Sequence, residues 1–260
     1  MFVVASVFLQ IPNAMAQADS FTKYGLSVGI FITDRDSKTR FDAQAGSANG
    51  TEVDLESELG VDTSDSVFRL DGYFRFNQKH RLDFSWFDLS RIGSKPIQRD
   101  IDWNGTLFTL DTVVDSEFDL AIYKVAYTWS FLQRDKSYLG ITAGLYVADI
   151  KTTLSAPSIA AREVSSITAP LPVIGLRGEH HFSDKWSFRA SGEVFALEYG
   201  DFDGSLYDFY VGLDYQLFDR MAIGVGFNSV RMDLGITKEN ANGNLDWQYD
   251  GGLAFLKFDF

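Results

Sequence analysis

The side chains best suited to acid–base or metal chemistry are three histidines, His80, His180 and His181. Glu179 and His181 lie two residues apart on a predicted strand, so they share a face and could together hold a metal ion. Two ligands are fewer than a protein metal site needs, and a structural or interfacial role for the histidines is the favoured interpretation. The chain has no cysteine, which excludes disulfides, thiol nucleophiles and cysteine-ligated metals. We therefore predict no catalytic residue, no metal site and no cofactor.

The elements that position these residues are predicted to be long β-strands. From Lys23 onward apolar and polar residues alternate with period two, and no apolar run approaches the ~18 residues of a membrane-spanning helix. The segments are long, with ten or more alternating residues, against the ~5–6 usual in soluble sheets and near the ~9–11 that a spanning strand needs. The predicted strands are 23–36, 66–76, 80–91, 117–131, 137–154, 165–182, 186–199, 205–217, 221–236 and 244–260.

The connections between these segments alternate in length. The short ones are 77–79, 133–136, 183–185 and 219–220, and the long ones are 37–65, 92–116, 155–164, 200–204 and 238–243. Outer-membrane barrels have short turns on the periplasmic side, long loops outside and an even number of strands. We predict an all-β fold, a closed antiparallel up-and-down transmembrane barrel of about ten strands. Eight strands is the alternative, and Asn104–Gly105 could turn an extra hairpin within 97–113.

Aromatic residues at the ends of the apolar faces favour a membrane barrel over a soluble β-sandwich, which would also alternate. Such rings form the girdles that mark the two membrane interfaces. Six of them lie beside predicted turns: Phe76, Trp129, Phe131, Phe182, Trp186 and Phe218.

The last strand ends in alternating apolar residues, Leu256, Phe258 and Phe260. This ending resembles the C-terminal signature of Gram-negative outer-membrane β-barrel proteins, and 54–60 with 68–91 is similar to a proteobacterial subfamily that brings no activity with it. The resemblance implies the cell outer membrane as location and a monomer surrounded by outer-membrane lipid and lipopolysaccharide. It also implies that Leu256, Phe258 and Phe260 form the signal read by the barrel-assembly machinery, with periplasmic chaperones assisting biogenesis.

Residues 1–16 are predicted to be a signal peptide, leaving 17–260 as a single barrel domain. The segment is apolar from Phe2 to Leu9, and Ala14-Met15-Ala16 is a small-x-small cleavage motif. No Lys or Arg precedes Lys23, so either the true start lies upstream or the segment is atypical. A buried N-terminal strand is the less favoured alternative.

If the apolar faces contact lipid, the alternate positions place charged side chains in the lumen. Buried charges are costly unless they are paired. Because the inward cations and carboxylates are nearly equal in number, we predict a network of ion pairs that fills a narrow barrel. A polar plug with at most a narrow water path is favoured over a selective pore. The predicted lumen residues are Arg69, Asp71, Arg75, Arg81, Asp83, Lys124, Arg177, Glu179, Arg189, Glu193, Asp208, Asp214 and Lys257.

The formal charge of −13 argues against nucleic acid as a partner. Nine carboxylates in 34–66 suggest either a solvated acidic loop, which is favoured, or divalent-cation binding. We predict a non-enzymatic barrel with a structural or surface-interacting role. A narrow channel for small solutes is one alternative. An outer-membrane lipid-modifying enzyme or protease is the other, disfavoured because the histidines lie beside the short turns.

Overall fold

The computed structural model describes residues 22–42, 50–199, 202–238 and 241–260, and the predicted signal peptide lies outside them. Ten long strands form a ring, supplemented by three short strands. In this described part, no helix has the length and apolar character needed to cross a membrane. The elements are β1 (Tyr24–Asp42), β2 (Val53–Asp54), α1 (Leu55–Leu59), β3 (Ser64–Arg75), β4 (His80–Pro96), β5 (Ile101–Trp103), β6 (Thr106–Phe108), β7 (Val113–Arg134), β8 (Ser137–Ala156), a 3₁₀ turn (Pro157–Ile159), β9 (Ala161–His181), β10 (Trp186–Tyr199), β11 (Phe202–Phe218), β12 (Met221–Lys238) and β13 (Ala241–Asp259).

The ring is closed and antiparallel, with each long strand paired to the next in chain order. The last strand returns to the first, from Gly25 opposite Asp259 to Asp42 opposite Asn242. The ten-strand barrel is therefore confirmed, and the eight-strand alternative is wrong. The extra hairpin is also confirmed: β5 pairs with β6, and Asn104 and Gly105 turn it with φ angles of 50° and 83°.

Several strands are longer than the sequence pattern predicted. β1 continues to Asp42, β4 continues to Pro96, and β7 begins at Val113. The ends of the predicted loops 37–65, 92–116 and 155–164 are therefore barrel wall. The interpretation of 34–66 as one acidic loop is wrong, because Asp42 belongs to β1, Asp54 to β2 and Asp65 to β3. Paired strands satisfy the backbone groups of these residues through the ladder, which a solvated loop would leave to water.

The barrel has two ends and two halves of opposite character. The turn end carries the four short turns and both ends of the described chain, and the loop end carries the longer connections. On β7, the outward side chains from Tyr123 to Phe131 are apolar and exposed, whereas those from Asp115 to Asp119 are acidic. The inward side chains show the opposite pattern: they are polar where the outward ones are apolar, and apolar where the outward ones are acidic. The turn half thus has an apolar exterior and a polar lumen, and the loop half has a polar exterior and a mainly apolar interior.

The height of the apolar belt matches a bilayer. On β7 the outward apolar positions run from Ala121 to Phe131. Ten steps of ~3.4 Å at a tilt of about 40° give a height of roughly 26 Å, close to the ~25 Å band of outer-membrane barrels. The loop half therefore projects beyond the membrane. Its interior, called here the loop-half core, includes Phe31, Val53, Leu55, Leu59, Phe87, Leu89, Trp103, Phe108, Phe118, Leu120, Ile150 and Trp247.

Candidate functional site

The turn-half lumen is lined by charged side chains that the alternation of the strands directs inward. All thirteen sequence-predicted lumen residues lie in this part of the barrel, and the structure brings them together in several linked groups. Sequence analysis missed one member, Asp259, although it alternates with Lys257 on the same face of β13. Seven cations and, with Asp259, seven carboxylates therefore meet in the turn half.

The group nearest the turn end is organised around Arg81. Its Nη2 lies 2.6 Å from Oδ1 of Asp83, and its Nη1 lies 4.0 Å from Oε2 of Glu179. Glu179 Oε2 also lies 3.8 Å from Nη2 of Arg75. The guanidinium of Arg81 stacks on the ring of Tyr73, with its carbon 4.1 Å from the ring centroid. One carboxylate thus joins cations from two strands across the lumen.

A second group surrounds the Asp208 carboxylate in the middle of the barrel. Lys124 Nζ lies 3.1 Å from Asp208 Oδ2 and also forms an ion pair with Glu193. Asn228 Nδ2 donates to Asp208 Oδ1 at 2.6 Å, and the Tyr146 hydroxyl donates to Asp208 Oδ2. Several strands contribute to this group, which makes it a brace across the barrel rather than a local pair.

Arg69 marks the boundary between the two halves. Its Nε lies 3.1 Å from Asp71 Oδ2, and its Nη1 donates to Asn228 Oδ1 at 2.7 Å. Its guanidinium carbon also lies 5.8 Å and 5.7 Å from the ring centroids of Phe31 and Phe87, which belong to the loop-half core. The charged lumen therefore meets the apolar core through cation–π contacts.

Two further ion pairs lie in the lumen. Arg189 Nε lies 2.8 Å from Asp214 Oδ2. Lys257 Nζ lies 3.0 Å from Asp259 Oδ2, and the Tyr73 hydroxyl donates to Asp259 Oδ1 at 2.7 Å.

A polar cavity of about 60 Å³ lies among these groups. Its volume corresponds to about four to six water positions. The Asp71 side chain remains 32% exposed although it points inward, so it faces open lumenal space. The charged lining consists of Arg69, Asp71, Arg81, Asp83, Lys124, Arg177, Arg189, Asp208 and Lys257.

The histidines lie at the turn end, where His181 contacts the Arg81 group through Glu179. His181 Nε2 lies 2.9 Å from Glu179 Oε1, and Ser137 Oγ lies 2.7 Å from His180 Nδ1. His80 Nδ1 hydrogen-bonds the hydroxyl of Tyr127. Within the described ranges, no three His, Asp or Glu side chains form a group able to hold a metal.

A short helix that sequence analysis did not predict, called here the plug, packs against the barrel wall at the loop end. The helix α1 begins after Asp54, whose side chain accepts a hydrogen bond from Ser57 N at 2.7 Å, and it ends at Gly60 with φ of 69°. Leu55 and Leu59 are fully buried in the loop-half core. Gly93 on β4 permits this packing, since a Cβ there would lie 2.7 Å from Leu59 O.

Two glutamates of the plug bind different arginines. Glu56 Oε1 lies 2.5 Å from Nη1 of Arg91, whose side chain is 0% exposed. Glu58 Oε2 lies 2.7 Å from Nε of Arg99, whose side chain is 50% exposed. The hydrogen bond that Arg99 donates to Glu58 raises the pKa of the Arg99 guanidinium. One pair is therefore buried inside the barrel mouth, and the other lies at the surface.

The C-terminal residues lie on the outer face at the turn end. Leu256 and Phe260 are exposed, as outward-facing residues of the apolar belt are, and Phe258 is half-buried.

A closed antiparallel barrel with an apolar outer belt and a charged lumen is the architecture of outer-membrane β-barrel proteins. The chain is an integral β-barrel of the Gram-negative outer-membrane type, located in the cell outer membrane.

Comparison with known proteins shows which solved structures the barrel is similar to. No family model and no curated protein matches the chain. Among solved structures it is similar to the outer membrane protease OmpT from Escherichia coli, with a TM-score of 0.57 and 11% identity over 91% of this chain and 97% of that chain. It is also similar to the attachment invasion locus protein Ail of Yersinia pestis, with a TM-score of 0.38 and 11% identity over 90% of this chain and 99% of that one. At 11% identity, the likeness to OmpT shows a shared fold.

Proposed function

We propose that this protein is a sealed, non-enzymatic and monomeric outer-membrane barrel that presents an acidic surface beyond the bilayer. The observation that carries the proposal is that the polarity of the inward and outward side chains reverses between the two halves of the barrel. A membrane-embedded half with a charged lumen continues into a half that is built like a soluble protein, with a packed interior.

The packing of the loop half supports a sealed lumen. Phe31, Phe87 and Tyr249 come from three different strands and form edge contacts with centroid separations of 5.2 to 6.3 Å. Leu55 and Leu59 of the plug fill the mouth beyond them. Ions pass such an apolar layer only at a large desolvation cost. We therefore propose that the barrel is structural and surface-interacting rather than a narrow channel.

The outer surface of the loop half, called here the acidic wall, is the surface proposed to face the lipopolysaccharide headgroups and the medium. This placement follows the orientation rule that long connections of outer-membrane barrels lie outside the cell. Cations such as Lys38, Lys151 and Arg231 are interspersed but outnumbered. The described carboxylates of the wall include Asp34, Asp36, Asp88, Asp115, Glu117, Asp119, Asp149, Asp203, Asp233 and Asp246.

We also propose that the protein does not act as an enzyme. Ser137 and His180 form the one described serine–histidine contact, at 2.7 Å on the turn end. A hydrolytic set also needs a third group that orients the histidine. Within the described residues, no carboxylate hydrogen-bonds His180. The likeness to a protease is therefore interpreted as a likeness of fold.

Conductance in planar bilayers tests the proposal. Purified protein whose barrel is verified by heat-modifiable gel mobility should give no conductance steps, whereas a general porin in the same bilayer gives large ones. Reproducible steps from the verified barrel would refute the sealed lumen and favour the narrow channel.

We also propose that Leu256, Phe258 and Phe260 act as the assembly signal for the barrel-assembly machinery, with periplasmic chaperones assisting. Phe260→Ala should lower the amount of barrel in the outer membrane of cells, while the purified variant refolds in detergent as the wild type does. An equal loss of refolding in detergent would indicate a role in stability instead, and unchanged cellular levels would reject the signal.

A further inference from the structure

The cavity in the turn-half lumen has an uneven distribution of charge. Six cations and three carboxylates line it, an excess of three positive charges. The other four carboxylates, Glu179, Glu193, Asp214 and Asp259, pair with lumen cations but do not line the cavity. The lumen as a whole is balanced, whereas the surface of the cavity is cationic.

Among the six cations that line the cavity, Arg177 has the longest distance to its nearest carboxylate. Its nearest carboxylate contact is Nη1 to Asp83 Oδ1, at 3.5 Å. Asp83 Oδ1 already accepts from Nε and Nη2 of Arg81, at 2.9 Å and 2.6 Å. The Nε of Arg177 has no hydrogen-bond partner among the described residues. Because buried charges are costly without partners, this guanidinium is a site where an additional anion would be stabilised.

A second buried group at the cavity is also unsatisfied. Ser85 lines the cavity on β4 and is 9% exposed, and its Oγ has no hydrogen-bond partner in the described structure. Lys124 is its direct cross-strand neighbour. A hydroxyl beside an ammonium, in a cavity that a guanidinium also lines, is a donor set that suits an anion with several oxygens.

We propose that the cavity binds one small tetrahedral oxyanion of the phosphate class, held chiefly by Arg177. The volume suits this class, since about four to six water positions match its five heavy atoms. Guanidinium groups favour oxyanions over halides because their planar donors bind two oxygens at once. The loop-half core fills the other side of the lumen, so the anion enters from the turn end, past the partly exposed side chain of Arg75.

Calorimetric titration of the folded, detergent-solubilised full chain with inorganic phosphate tests the site. We expect one phosphate per chain, and a much weaker response to chloride at equal ionic strength. Arg177→Gln should weaken phosphate binding by about tenfold or more, the loss expected for a hydrogen bond to a charged group. Arg220→Gln is the matched control, because Arg220 is exposed in a turn at the same end of the barrel.

Each outcome decides the proposal. Absence of binding to the wild-type barrel overturns it, and so does equal binding by Arg177→Gln and the wild type, which would indicate a surface ion only. If Arg177→Gln does not fold, Ser85→Ala replaces it and should also weaken binding relative to Arg220→Gln. The outcome is independent of the sealed lumen, because bilayer conductance does not depend on whether phosphate binds.

Discussion

Glu56→Gln should open the plug at the loop end, whereas Glu58→Gln should leave it closed. The two glutamates lie two residues apart on the same helix, and each contacts an arginine. Glu56→Gln removes the carboxylate that pairs with Arg91, whose side chain is 0% exposed. The amide introduced by this substitution retains an oxygen that can accept from Ser37 N, as Glu56 Oε2 does at 3.0 Å. The substitution therefore removes both the charge and the oxygen that accepts from Arg91, while it keeps the contact with Ser37.

The expected magnitudes differ by more than a factor of ten. Removing one partner of a buried ion pair costs ~3–5 kcal/mol, which corresponds to about a 150- to 4,500-fold increase in the population of the open plug. The Arg99–Glu58 pair is half exposed, and such pairs contribute ~0–1 kcal/mol, or up to about fivefold. Replacing both charges by Glu56→Gln with Arg91→Met should restore most of the loss, because the apolar side chain can still pack against Phe118.

Hydrogen exchange in detergent micelles measures the opening directly. The amides of Gly60 and Val61 are suitable reporters, since they donate to Glu56 O and Leu55 O at 3.1 Å and 3.0 Å. Their exchange should accelerate strongly in Glu56→Gln and little in Glu58→Gln, while the barrel strands stay protected. Equal acceleration in the two variants would refute the reasoning, because it would mean that the buried pair does not hold the plug.

Two further predictions concern the outward and inward side chains of the barrel strands. Val125→Arg, in the apolar belt, should destabilise the folded barrel in liposomes by ~2–4 kcal/mol, whereas Glu117→Arg, on the acidic wall of the same strand, should change stability by less than ~0.5 kcal/mol. Equal losses in denaturant unfolding would contradict the placement of the belt. Leu120→Ala should cost ~2–5 kcal/mol because it leaves a cavity in the loop-half core, and Leu145→Ala should cost less because lipid chains can fill the space. An equal loss at both positions would reject a packed loop half.

The period of the sequence predicts the turn half well because lipid and lumen impose opposite polarity on alternate residues. The same period mispredicts the loop half, because there the inward residues are apolar and the outward residues are polar. On β7, Phe118, Leu120 and Ile122 occupy even positions, whereas the lipid-facing residues from Tyr123 onward occupy odd ones. This switch of the apolar side chains from one face of the strand to the other is visible in the sequence. Read as a strand that leaves the membrane, rather than as the start of a loop, it predicts strands that are several residues longer.

The partners within the lumen were beyond sequence analysis for a different reason. Arg81 and Glu179 lie on strands that are not neighbours in the sheet, as do Lys124 and Asp208. Which residues meet across the lumen depends on the stagger of the strands around the ring, and alternation within one strand contains no information about that stagger. The plug was missed because α1 has five residues, too few for a helical period to emerge.

The reversal also explains where the acidity of the chain lies. A carboxylate in the apolar belt would face hydrocarbon, and one in the lumen needs a cation at close range, so neither region can hold an excess of negative charge. The lumen accordingly pairs seven cations with seven carboxylates. The net charge of −13 must therefore reside largely on surfaces that water can reach, and the acidic wall is such a surface. Its charge is a consequence of projecting a barrel beyond the bilayer, because only there does an outward carboxylate remain solvated.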